Sequence, residues 1–275
     1  MSKRGVPDLP VGVVVMDWKA PPTPSAKSLQ GDYARVEPLD VATHSDSLFA
    51  AFAEAGTQYG WTYMGYGPFA GKAQFDEWLV GSCLGTDPMF FSILQRSSGA
   101  ALGMASLMNI NPVGGSIEVG NIHFSPSLRK TRVATDAMYL MMRYAFEMGY
   151  RRYEWKCNAF NAASRAAALR FGFSYEGVFR QHMVVKGRNR DTAWYACVDH
   201  EWPALRIAYE TWLAPANFDD NGDQRITLAS LTAPLLVATG YSPGIGCTVN
   251  KLVGQLSCRK LYCSERLLQV GVGQS

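Results

Sequence analysis

The sequence predicts a mixed α/β protein. Apolar runs of strand length alternate with segments of helical spacing, the helical segments close at glycines, and a hydrophobic, turn, hydrophobic unit around RSSG signals a β-hairpin.

Residues 1 to about 30 are rich in Pro, Ser and Lys (PPTPSAKS), which favours an extended arm. YARVEPL reads as a first strand. From Asp40, with Asp, Thr and Ser available as caps, DVATHSDSLFAAFAEAG is helical and ends at Gly56. A second helix follows in AGKAQFDEWLVGSCLG, where Phe75, Trp78 and Leu79 recur at three- and four-residue spacing. MFFSILQ and AALGMASLMNI form the hairpin around RSSG. In SIEVGNIHFS the apolar residues change parity: Ile117 and Val119 are odd, Ile122 and Phe124 even. A shift beside Gly120 predicts a bulge, which bends a strand away from its neighbour. The helix Val133 to Met148 closes at Gly149, YEWKC is a strand, and the Ala-rich helix NAASRAAALRF closes at Gly172. FSYEGVFR and HMVVKGRNRDTAWYACVDH give a strand pair around a Gly-containing turn, and EWPALRIAYETWL is a last helix. The domain is expected over residues 31–218. From 219 to 275 the text turns polar and Gly- and Ser-rich with little period, an appended tail whose order is left open, above all over 235–275.

The 275 residues carry 48% hydrophobic side chains, enough for a real core, and a net charge of +3 from 26 Lys+Arg against 23 Asp+Glu. That balance gives no ground for a nucleic-acid partner, and no basic stripe with aromatic partners runs along one face. The cysteines Cys83, Cys157, Cys197, Cys247, Cys258 and Cys263 show no CxxC and no zinc spacing, so they are read as reduced and no metal is expected. No stretch approaches the roughly 20 apolar residues that span a bilayer. VGVVVM (Val11 to Met16) is too short for a span or a signal peptide, so no membrane partner and a cytoplasmic location are expected.

The junction SPSLRKTRVATDAM, Ser125 to Met138, lies where a strand feeds a loop and a helix start. Several unpaired backbone N–H groups and the positive end of the helix dipole meet there, and an anion fits. Arg129, Lys130 and Arg132 would add charge-assisted bonds to a diphosphate. Taken alone, the three cations are equally a solvated helix start.

The element order, together with IEVGNIHFSPSLRKTRVATDAMYLMMRYAFEMGYRRYEWKCNAFNAASRAAALRFGFSYEGVFR, resembles the GCN5-related N-acetyltransferase (GNAT) superfamily, in the branch of the ribosomal-protein N-terminal acetyltransferases, over roughly residues 30 to 213. The resemblance implies a mostly antiparallel sheet splayed at a bulged central strand, with helices on both faces. It implies acetyl-CoA as cosubstrate and an amine acceptor, with transfer by direct attack in a ternary complex. The family's Gln/Arg-x-x-Gly-x-Gly/Ala loop falls on Arg129, Lys130, Thr131, Arg132, Val133 and Ala134, with Thr135 next, and implies that these hold the diphosphate. Arg132 stands where the central Gly is usual; the expectation is that the loop turns without it and that its guanidinium lies beside the diphosphate. Asn161, Ser164, Gly172 and Phe173 match the second motif. Asn161 is implied to contact the pantetheine arm or its waters; as an isolated residue it is equally a helix cap.

On the bulged strand the resemblance gives the main chain of Asn121, Ile122, His123 and Phe124 to the oxyanion and the pantetheine. It gives the role of base to Glu118, whose alternative is a cross-strand-paired or exposed Glu. Many relatives use a Tyr for the leaving thiolate where this chain has Ala168. Ser164 is the substitute donor, its alternative a capping-box partner of Asn161. The acceptor site is expected between the first two helices and the last hairpin, with Trp61, Tyr63, Tyr66 and Phe69 either lining a pocket or in the core, and with His182, Trp194 and Tyr195 nearby. KGRNRD (Lys186 to Asp191) is a hairpin tip with a role in placing the acceptor left open. The rivals are a catalytically silent acyl-CoA-binding protein on the same scaffold, motivated by the missing Tyr and Gly, and acetylation of a hydroxyl or small metabolite. A homodimer is also left open.

Overall fold

In the computed structural model, which describes residues 11–54 and 57–238, the apolar runs become one sheet of eight strands among those residues. In chain order they are β1 (Leu29–Gln30), β2 (Ala34–Pro38), β3 (Met89–Gln95), β4 (Ala101–Asn111), β5 (Ser116–Phe124), β6 (Arg152–Asn158), β7 (Ser174–Val185) and β8 (Arg188–Val198). The spatial order is β1-β2-β3-β4-β5-β6-β8-β7. Every pairing is antiparallel except β5 with β6. A parallel pair needs a crossover, here supplied by α3 (Arg132–Glu147). The other helices are α1 (Val41–Phe52), α2 (Lys72–Ser82), α4 (Ala162–Arg170), α5 (Trp202–Leu213) and α6 (Leu228–Thr232).

Strand alternation splits the core in two. Phe91, Ile93, Ala105, Leu107, Ile117 and Val119 face α3 in the main cluster, which continues through Leu205, Tyr209 and Leu228. Phe90, Leu94, Ala101 and Met104 point the other way and pack under α1 and α2 with Leu48, Phe75 and Leu79. The sheet therefore carries helices on both faces. Asp40 caps α1, accepting from Thr43 N at 2.7 Å. The helix stops at Phe52; the expected stop at Gly56 lies outside the described residues.

The N-terminal arm is fastened down. Tyr144 on α3 accepts from Ser25 N at 3.0 Å, Tyr150 donates to Pro22 O at 3.2 Å, and the last two residues of the arm join the sheet as β1. At the other end the chain stays folded past residue 219: Asn217 bonds both Trp212 O and Ile226 O, and α6 sets Leu228 in the main core. Residues 239–275, including Cys247, Cys258 and Cys263, lie outside the described residues. Cys83, Cys157 and Cys197 are buried free thiols.

The feature that matters most is the end of β5. Met104 pairs with His123 and Ser106 with Gly120, so Ala105 alone opposes Asn121 and Ile122. Asn121 takes φ 51°, and the extra residue reverses the alternation. Ile117 and Val119 before it, and Ile122 and Phe124 after it, consequently all face the main core. Pairing of β5 with β6 covers only Ser116–Val119 against Arg152–Trp155. Beyond that the two strands part. A second register shift, at Asn109 and Ile110 of β4, is held by the Asp87 carboxylate, which accepts both N–H groups at 2.9 and 3.0 Å.

Candidate active site

At the mouth of this gap, Ser125–Thr131 turns from β5 into α3. Ser125 O accepts from Leu128 N and Arg129 N, each at 3.1 Å, and Leu128 is fully buried beneath. Burying one leucine stabilises such a turn by about 1.5–3 kcal/mol. Thr131 caps the helix, its Oγ1 accepting from Ala134 N at 3.1 Å and donating to Leu128 O at 2.7 Å. The N–H groups of Lys130, Arg132 and Val133 have no protein acceptor among the described residues. With the helix dipole behind them, these are the donors the loop can offer an anion. The positive φ falls on Lys130, at 62°, and Arg132 is the first residue of the helix. The loop thus turns with no glycine at 132. The Arg132 guanidinium lies over the Phe218 ring at 4.2 Å and the Tyr33 ring at 5.2 Å, aromatic faces that attract a cation. Arg129 remains at the mouth, its Nε donating to Phe124 O at 3.0 Å. Ala134 and Thr135 have buried side chains; Thr135 Oγ1 accepts from Arg170 Nη2 at 3.2 Å.

Glu118 points to the face bearing α1 and α2 and is only 4% exposed. Lys156 Nζ donates to it at 2.7 Å and Asn109 Nδ2 at 2.6 Å, the latter turned inward by the β4 irregularity. The same Lys156 bonds Glu154 at 2.7 Å, Arg152 joins Glu154, and Arg152 continues to Glu176. Burial pushes the Glu118 carboxyl above its ordinary range, and the bonds from Lys156 and Asn109 offset only part of that. Glu154 is penalised by burial too, but two cations hold it below the ordinary range. Two carboxylates sharing one lysine are thereby driven apart, Glu118 upward and Glu154 downward. Glu118 is therefore cross-strand paired and buried rather than exposed. Lys156 also sits 4.0 Å from the Trp194 ring centroid.

On the opposite face, Asn161 caps α4 by accepting from Ser164 N at 3.0 Å, which leaves its amide N–H groups for another partner. Ser164 Oγ accepts from the Trp155 indole at 3.0 Å and lies against the Cys157 thiol. Since Trp155 and Cys157 belong to the main core, Ser164 and Glu118 stand on opposite faces of the sheet, linked only where β5 and β6 part. Ala168 is 0% exposed, so the position of the usual Tyr is core here.

Of the two roles left open for the aromatic loop, packing in the core accounts for most of it. Trp61 is buried with Phe69, Phe75 and Trp78 in the second cluster, and His123, 3% exposed, stacks on Trp61 at 3.7 Å. Burial, with Arg129 adding repulsion, pushes His123 down to about 3, so its ring is neutral. A Cβ on Gly60 would stand 2.8 Å from that ring and 3.0 Å from Arg129 Nη2, which explains a glycine at this close approach. Two ring hydroxyls do reach the site: Tyr66 donates to Asn121 Oδ1 at 3.2 Å, and Tyr63 to Phe160 O at 3.2 Å. The last hairpin turns through Lys186 and Gly187, both at positive φ as a two-residue loop requires. Lys186 Nζ then donates to Trp61 O, Tyr66 O and Gly67 O at 3.0, 3.0 and 2.6 Å, pinning hairpin to loop. His182 bonds Thr192, and Tyr195 is buried, accepting from Arg165.

The Acetyltransferase (GNAT) domain family matches residues 35–174, more than half of the chain. The chain belongs to the GNAT acetyltransferases. The crystal structure of a GCN5-related N-acetyltransferase from Brucella melitensis is 46% identical, covers 79% of this chain and 99% of that one, and superposes with a TM-score of 0.78. A GNAT-family structure from Chromobacterium violaceum is 40% identical over 73% of this chain and 100% of that one, with a TM-score of 0.67. Among curated proteins, "Putative ribosomal N-acetyltransferase YdaF" of Bacillus subtilis is 30% identical over 105 residues, 38% of this chain. The match spans 57% of that relative's length. GNAT proteins are acyltransferases, and acetyl-CoA is the family's cosubstrate.

Sequence reasoning missed two groups in this region, Asn109 and Lys156, and named Arg190 only as part of the KGRNRD run. The signal for Lys156 was present, since RYEWKCN puts Arg152, Glu154 and Lys156 at period two on one strand face. Arg190 extends from β8, its Nε donating to Thr192 Oγ1 at 3.2 Å, close enough to Cys157 and Glu118 to feel both. No group of three or more His, Cys, Asp or Glu side chains able to hold a metal gathers among the described residues. No helix among them is long and apolar enough to cross a membrane.

Proposed function

We propose that the chain is an acetyl-CoA-dependent N-acetyltransferase acting on a primary amine by direct attack in a ternary complex. The carrying observation is the gap opened by Asn121 between β5 and β6, with unpaired N–H groups at its mouth and a raised carboxylate on one side. The acetyl-CoA diphosphate rests on the N–H groups of Lys130, Arg132 and Val133 with Arg129 beside them. The pantetheine arm pairs with the main chain of Ile122, His123 and Phe124 and receives the Asn161 amide. The amine enters from the face of Glu118. Its nitrogen bonds the thioester carbonyl carbon, Glu118 takes a proton directly or through water, and the C–S bond breaks as Ser164 donates to the leaving sulfur. A thiol near pKa 8.5 needs little acid assistance, which accommodates the absence of the usual Tyr.

The words "ribosomal N-acetyltransferase" in the name of the Bacillus subtilis relative support an amine of the ribosome among the acceptors to be tried. The test is thiol release from acetyl-CoA with a panel of peptides and small amines, with mass spectrometry of the acceptor. A mass gain at a primary amine is expected. Acetyl-CoA binding without turnover would favour a silent acyl-CoA-binding protein, a hydroxyl product would move the acceptor class, and no binding would defeat all three.

A further inference from the structure

The family match ends at residue 174, yet the chain beyond α5 returns to the start of α3. Its path is fixed by its own bonds. Asn217 donates to Trp212 O at 3.0 Å and Ile226 O at 3.1 Å and accepts from Ile226 N at 2.8 Å. Trp212 Nε1 donates to Gln224 Oε1 at 2.8 Å, and Phe218 bridges to Gln224 across the loop. The result is a rigid turn whose Phe218 ring, braced edge-on by Trp212 at 5.2 Å, lies over Arg132. Gly222 flanks the same guanidinium, and Tyr33 covers it from the start of the sheet. The segment grips α4 too: Thr232 Oγ1 donates to Arg170 O at 3.0 Å, and Arg170 reaches Thr135 on α3 while its guanidinium lies over Trp212.

We infer that Phe218 is a positioning residue for the acetyl-CoA loop, with the segment from Pro215 to Leu235 acting as the brace that makes an arginine tolerable where the family pattern has glycine. Glycine at that point has no side chain to place. Arginine has a long, charged one, and left unheld it would compete for the space in front of the unpaired N–H groups of Arg132 and Val133. Phe218 and Tyr33 draw it aside by a cation–π contact and keep the first turn of α3 fixed. This inference rests on the diphosphate lying at that turn. It goes beyond the family pattern in tying cofactor affinity to a stretch outside the family match.

The experiment is calorimetric titration of the full chain with acetyl-CoA in a cycle of four proteins: wild type, Phe218→Leu, Arg132→Ala and the double variant. Leucine keeps most of the bulk and removes the π face. Phe218→Leu should raise Kd about fivefold when Arg132 is present and less than twofold when it is Ala, and the KM for the acceptor should not move. Equal effects in both backgrounds, or none in either, would overturn the brace. Wild type failing to bind acetyl-CoA would instead defeat the proposed function, so the two failures are separable. If Phe218→Leu melts early, Trp212→Phe, which removes the bond to Gln224 while keeping an aromatic ring, should raise Kd in the same Arg132-dependent way; an additive effect would again refute it.

Discussion

Replacing Lys156 by Met removes a cation 2.7 Å from a carboxylate that is 4% exposed, while keeping an unbranched chain against Trp194. Charges about 4 Å apart at an effective dielectric of about 20 interact by about 4 kcal/mol. Asn109 remains as a donor and Arg190 as a cation, so the Glu118 carboxyl, already raised by burial, is expected to rise further. The direction follows from the base being the carboxylate. Protonation inactivates it, so kcat/KM climbs as pH rises through the raised pKa, and Lys156→Met moves that acid limb upward. The measurement is the pH profile of thiol release at limiting acceptor, with Glu118→Gln in parallel. In Glu118→Gln the limb should vanish along with most of the rate. A limb unmoved in Lys156→Met, or intact in Glu118→Gln, would refute the assignment of Glu118 as the base tuned by this lysine. Stability should fall by about 3–5 kcal/mol, the cost of leaving one partner of a buried pair alone.

Acid should weaken the fold through His123, whose folded pKa of about 3 lies below the ordinary 6.5. The unfolded chain binds the extra proton between those values, so the stabilisation is complete above pH 6.5 and fades toward pH 3, by up to about 5 kcal/mol. Urea midpoints for His123→Phe should show a shallower pH slope over that window; the same slope as wild type would rule the residue out. Lys186→Met removes three bonds to carbonyls of the aromatic loop and should raise the acceptor KM several-fold, discounted for exposure. The KM for acetyl-CoA should stay fixed, and a change there instead would contradict an acceptor-side role. Ser164→Ala should lower kcat about tenfold, a small effect for a general acid because the leaving thiol is already acidic. If kcat holds while the KM for acetyl-CoA rises, the hydroxyl serves only to support Trp155.

Much of this was legible in the chain because it rests on period. The parity shift at Gly120 marked the bulge within one residue of Asn121, since a strand with one buried face cannot change parity without an extra residue. Long amphipathic α3 and the capped α1 were equally plain. What escaped was too short or too distant to leave a pattern. Strand β1 has two residues and α6 five, and neither length shows a period. The aromatic run at Trp61 resolved to core because ring area dominates where loops are packed, and only Tyr63 and Tyr66 kept hydroxyls toward the site. The destination of Arg132 depended on Phe218, far along the chain, a contact no local spacing encodes.

The separation of Glu118 and Ser164 by the thickness of the sheet has a further meaning. In the proposed transfer the two reactants would have separate doors, and a large acceptor, even a folded protein offering only its end, would not have to pass the nucleotide to reach the acyl carbon. Exchange at one door need not wait for the other. The wall between them ends where β5 and β6 stop pairing, two residues before the insertion at Asn121, so on that reading changes at Asn121 should alter the bulk of acyl group that fits.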